Sequence, residues 1–132
     1  MSVTVRWANS EQTISCLVFK RPWTWDEFYT TYKTAWTMTN SVDHQVDIIL
    51  DMSHSRPFPV GSLPHLIHHP YRPHANRGVV VVVTPMRGYI ETLLNVARRR
   101  KLAVVANFYI ADNMEDAYAT IAAKRHTITK GQ

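Results

Sequence analysis

Polar and apolar residues alternate at the start of the chain and later give way to runs with no polar face. Val3, Val5 and Trp7 alternate with Thr4 and Arg6, the period-two pattern of a strand with one buried side. A turn at residues 9–12 leads to a second strand over residues 13–19, in which Ile14, Cys16 and Val18 face opposite to Leu17 and Phe19. The two are expected to pair as a hairpin at a sheet edge. Thr24-Trp25-Asp26-Glu27 then reads as a capping box, with the Thr24 hydroxyl and the Glu27 carboxylate each serving the other's backbone amide. The helix it opens carries Trp25, Phe28, Tyr29, Tyr32 and Trp36 on one stripe, which is expected to face the core, and should end near Asn40.

The middle of the chain is more apolar. Val46-Asp47-Ile48-Ile49-Leu50-Asp51 reads as an interior strand, followed by a polar loop and a short helix over residues 62–67 with Ser62 at its N-cap. Gly78 and Pro85 bound five consecutive valines and a threonine. A segment with no polar side must be covered on both faces, so this is taken as the central strand of a sheet sandwiched by helices. Met86, Tyr89, Ile90, Leu93, Leu94 and Ala97 mark the buried side of a third helix, ending in Arg98-Arg99-Arg100-Lys101. Residues 106–110 read as a last strand. Asp112 or Asn113 caps a final helix with Met114, Ala117, Tyr118 and Ile121 inward. The predicted order is β-β-α-β-α-β-α-β-α: a single α/β domain with a mixed, mostly parallel sheet and helices packed on it. The domain is expected over residues 1–125, with 126–132 a frayed tail.

Composition fits this picture without sharpening it. The chain has 132 residues, enough for one domain, and no apolar run of the length a membrane span needs. With a single cysteine, Cys16, and no leader-like pattern at the N-terminus, a cytoplasmic location is expected. Fifteen Lys and Arg against ten Asp and Glu give a net charge of +5, a weak bias toward acidic partners.

Several pieces together resemble the STAS domain family, in particular its SpoIIAA-like (anti-sigma factor antagonist-like) members. They are the opening hairpin, the segment Pro22-Trp23-Thr24-Trp25-Asp26-Glu27-Phe28, the strand Val46-Asp47-Ile48-Ile49-Leu50-Asp51 with Ser53, and Gly78-Val79-Val80-Val81-Val82-Val83. The resemblance implies a regulatory domain without catalytic activity that binds partner proteins, in some relatives under serine phosphorylation, and in some a nucleotide or other small ligand. The phosphorylated segment of antagonists reads Asp-Ser-Ser-Gly-like, whereas this chain has Pro59-Val60-Gly61-Ser62-Leu63. Ser62 alone carries over as a possible phosphoswitch. Phosphate at a helix start is physically reasonable, and a plain N-cap serine is the simpler reading.

Other candidate chemistry is thin. His65 with His68 or His69 has the spacing to share a metal on one helix face, but Pro64 and Pro70 leave scarcely two turns; solvated histidines, like His54 and His74, are the alternative, and no metal is expected. Asp51, Ser53 and His54 are the residue types of a hydrolase triad, which says nothing of their geometry. Four glycines fall in no phosphate-loop spacing, and no cofactor is expected. The basic run at residues 98–101 could meet nucleic acid, anionic lipid or an acidic protein face, or be a solvated helix end; nucleic acid is not the expected partner.

One inference is independent of any family. Ligands of open α/β sheets gather at the carboxyl ends of the strands. Those ends should present Asp51, Ser53, His54, Ser55, Thr84, Arg87 and Asp112. The leading expectation is a protein-binding domain, with a homodimer as one form of it, whose surface is the loop after the third strand and the helix beginning at Ser62. The alternative is a binder of a small anionic ligand at the strand ends.

Overall fold

In the computed structural model, which describes residues 2–55, 62, 64, 65 and 73–127, five strands form one sheet in the order β1-β2-β3-β4-β5. β1 (Val3–Trp7) pairs antiparallel with β2 (Ile14–Phe19), Val5 opposite Leu17. From there the sheet is parallel through β3 (Val46–Asp51), β4 (Arg77–Val83) and β5 (Phe108–Ala111). Helix α1 (Trp25–Asn40) joins β2 to β3, α2 (Arg87–Arg99) joins β4 to β5, and α3 (Met114–Lys124) follows β5. The helix expected at residues 62–67 lies outside the described residues except for Ser62, Pro64 and His65, and so does the tail beyond Thr127. His126 itself sits in a short 3-10 turn, Arg125–Thr127.

The layers follow from side-chain alternation. Leu17, Phe19, Ile48, Leu50, Val80 and Val82 point to the face covered by α1 and α2. Cys16, Ile49, Val79, Val81 and Val83 point to the other, where Ala117 and Ile121 of α3 pack. Both crossovers join neighbouring strands while moving the same way across the sheet. A constant right-handed crossover puts such helices on one face, as α1 and α2 are. The valines are interior, each 2% exposed or less, because β4 lies between β3 and β5 and under helices on both sides. The middle strand of the five is β3, however, one place over from the position expected for the valine strand.

Local chemistry sets the element ends. The α1 capping box forms as expected: Thr24 Oγ1 accepts from the Glu27 amide at 3.2 Å and the Glu27 carboxylate accepts from the Thr24 amide at 3.1 Å. The same carboxylate accepts from the Ser2 amide, and these bonds, the Ser2 one foremost, hold its pKa below the ordinary glutamate value. Asn113, not Asp112, caps α3, accepting from the Asp116 amide at 2.8 Å.

Four expectations need correction. The last strand begins at Phe108, two residues late, because residues Ala103–Val105 close a 3-10 turn and Asn107 adopts a left-handed φ of 60°. Tyr118 is 39% exposed: Ala117 and Ile121 hold α3 against the sheet, and the next position along rotates outward. Trp36, at 39%, is only partly covered, edge-on to the His74 ring at 4.5 Å. Met86 and Tyr89 were expected inside, yet they are 46% and 40% exposed. The stripe of α2 that is buried is Ile90, Leu94 and Ala97, and Met86 and Tyr89 lie in the turn before it, at the end of β4.

Candidate functional site

The carboxyl ends of β3, β4 and β5 form one rim, stitched by backbone bonds from Met52 N–H to Val83 O (2.9 Å) and from Thr84 N–H to Ala111 O (3.2 Å). Two small constellations sit on it. At the end of β3, Asp51 Oδ1 accepts from both the amide (3.1 Å) and the hydroxyl (2.6 Å) of Ser53. This closes a tight polar turn with His54 exposed and Ser55 half-buried. The serine proton is directed at the aspartate itself, an order unlike a triad, where a histidine must stand between the two.

At the end of β4, Thr84 is buried and its hydroxyl accepts from the Met86 amide at 3.0 Å. Thr84 therefore shapes the loop instead of presenting a group to a partner. Arg87 is the hub of the β5 side. Its Nε donates to Asp112 Oδ1 at 3.2 Å, its Nη1 to Glu91 at 3.4 Å and its Nη2 to the Ile110 carbonyl at 3.2 Å. Both ion pairs are well exposed, so each adds about 1 kcal/mol or less and serves chiefly to orient the guanidinium. Of the expected site residues, the structure thus joins Asp51 to Ser53 and Arg87 to Asp112. Two strand spacings, about 10 Å, separate β3 from β5. Flanking Arg87 in the chain are Pro85, Met86, Gly88 and Tyr89, all exposed.

Ser62 makes its contact at the start of α1. It is 3% exposed, and its hydroxyl accepts from the Trp25 indole N–H at 3.1 Å. Beside it the His65 ring stacks on Trp25 (4.6 Å, 8° between planes), with its Nδ1 at 2.9 Å from the Tyr29 hydroxyl. The start of α1 is therefore tied to Ser62 and His65 at the rim of an aromatic cluster. Cys16, buried in β2, has its thiol pKa pushed up to about 11, mainly by desolvation. It is a packing residue at neutral pH. Among the described residues no group of three or more His, Cys, Asp or Glu could hold a metal ion. No helix is long and apolar enough to cross a membrane, among the described residues.

Sequence reasoning missed a cleft beside the last strand. β5 is an edge strand, and its ladder to β4 uses the carbonyls of Asn107 and Ala111. Alternation turns Phe108 and Ile110 to the open side. There Arg98 Nη2 donates to Phe108 O at 2.7 Å and Arg87 Nη2 to Ile110 O at 3.2 Å. Two arginines three turns apart on α2 thus cover the edge carbonyls, a use of charge that blocks unwanted strand pairing. Only the eleven-residue spacing hinted at it, and that means nothing until β5 is known to lie beside α2. Between α2, β5 and α3 they leave a cleft of about 440 Å³.

Comparison of the chain with protein-family models, with curated proteins and with solved structures finds no match in any of the three.

Proposed function

We propose that this chain is a non-enzymatic, STAS-like regulatory domain that works by binding a protein, a second copy of itself included, through the rim at the carboxyl ends of β3, β4 and β5. One observation supports this most. Met86 and Tyr89, two large apolar residues, stand exposed on either side of Arg87 and Gly88, where the sheet ends. Methionine, tyrosine and arginine are residue types enriched at protein contacts. The same rim carries the polar groups Ser53, His54 and Asp112, which would serve as its hydrated border.

The Asp51–Ser53 turn adds rigidity to this reading, since a preformed loop loses less freedom on binding. Ser62 stays outside the proposed surface, because its hydroxyl is buried and holds the Trp25 indole. The test is affinity capture from the native host with the wild-type chain and with Met86→Asp/Tyr89→Asp, paired with light scattering for self-association. A retained protein, or a dimer, lost in the double variant supports the reading. A folded double variant that keeps the same partners and the same mass contradicts it.

A further inference from the structure

We infer that the cleft between α2, β5 and α3 is a binding site for a small organic anion carrying carboxylate or phosphate groups. The inference does not rest on the protein-binding rim, with which the cleft shares Arg87 and its partners Glu91 and Ile110.

The argument starts from charge. Three cations line the cleft: Arg87 and Arg98 from α2 and Lys124 from α3. They are not equivalent. Arg87 faces Glu91 and Asp112, and its third contact is the Ile110 carbonyl, so its charge is offset and its donors are engaged. Arg98 forms no ion pair among the described residues. It is anchored by a single bond, Nη2 to the Phe108 carbonyl at 2.7 Å. That bond uses one of its five N–H donors. The planar guanidinium matches a carboxylate or phosphate, and the existing contact reduces the side-chain freedom lost on binding.

Across the cleft the Lys124 ammonium lies 5.6 Å from the centroid of the Tyr109 ring, drawn there by the ring's negative face. An anion between Arg98 and Lys124 would meet positive charge from two helices at once. Asn95 and Thr120 add neutral polar groups, and Leu94 supplies an apolar wall. The Thr120 hydroxyl donates to its own helix at Asp116 O, so it offers an oxygen acceptor to a ligand hydroxyl or amine. The volume, about 440 Å³, falls within the range of small-ligand clefts and suits a compact polyfunctional anion. Its open side excludes a fully enclosed apolar ligand.

The test is an NMR titration of the full chain with two probes, citrate and inorganic phosphate, at fixed ionic strength. Amide shifts should concentrate at Asn95, Arg98, Phe108 to Ile110, Thr120 and Lys124. Arg98→Gln should weaken citrate binding about tenfold, the scale of one charge-assisted contact. Arg99→Gln, one position along the same basic run but outside the cleft, should leave it unchanged. Should Arg98→Gln disturb the β5 edge, Lys124→Gln provides the same test from the other helix. Equal losses in Arg98→Gln and Arg99→Gln would overturn the site and reassign binding to the helix end as a whole. So would shifts that vanish on raising salt for both probes, or binding by an oligonucleotide with neither small anion bound.

Discussion

Gly78 shows how one residue can be fixed by space and not by backbone angle. Val46 pairs with Arg77 and Ile48 with Val80, so Gly78 and Val79 together oppose Asp47 in a bulge. The buried Asp47 carboxylate takes up the amide that the bulge turns aside: Oδ1 accepts from Val79 N–H at 2.9 Å and from Gln45 Nε2 at 2.9 Å. Oδ2 lies 3.5 Å from Arg125 Nε, an ion pair slightly too long to be a hydrogen bond. A methyl group at position 78 would run into Asp47 Oδ1 and Gln45 Nε2, both held by these bonds. Gly78→Ala should therefore destabilise the protein by about 2 kcal/mol, within the range for overpacking, as read by urea denaturation. A change below about 0.5 kcal/mol would show that the cluster gives way freely. In the sequence Gly78 is legible only as the boundary of the valine run. Its partner Asp47 looks like an ordinary polar interruption of a strand, because a bulge depends on the register of two strands and leaves no periodic trace in either.

At the scale of elements, the ends of helices divide into those that local chemistry announces and those it does not. The start of α1 is written in four consecutive residues, and the start of α3 in one asparagine. The end of α2 is marked by its basic run but not by a glycine. Lys101 N–H donates to Arg98 O and Leu102 N–H to Ala97 O, the bond pattern of a Schellman motif, with Lys101 at a φ of 55° where glycine is usual. Lys101→Gly should relieve that strain and stabilise the chain by about 0.5 kcal/mol or more, net of the freedom glycine adds to the unfolded state. A loss of stability in thermal and urea melts would mean that the lysine stem contributes packing outweighing the strain. The same turn explains why the basic run is not one surface. All four side chains are exposed, but Arg98 donates to a carbonyl of the β5 edge. Strands were the more readable elements, since a five-valine run and a strict alternation each admit few arrangements. Met86 and Tyr89 misled because helical spacing gives the face of a residue but not whether the sheet extends far enough to cover it.

Over the whole molecule, the sheet has two ends and two edges with different treatments. One margin, β5, is covered by arginines and bordered by a cleft. The rim at the carboxyl ends of the parallel strands holds a rigid polar turn, an arginine hub and exposed methionine and tyrosine side by side. The proposed protein contact belongs to that rim because apolar exposure and ordered polar neighbours occur together there. Hydrogen–deuterium exchange on the chain alone and bound to its captured partner tests this most directly. The account predicts slowed exchange on binding in residues 51–55 and 84–89, with β1 and α1 unaffected. Protection confined to β1 and α1, with the strand-end segments exchanging as fast as in the free chain, would contradict it.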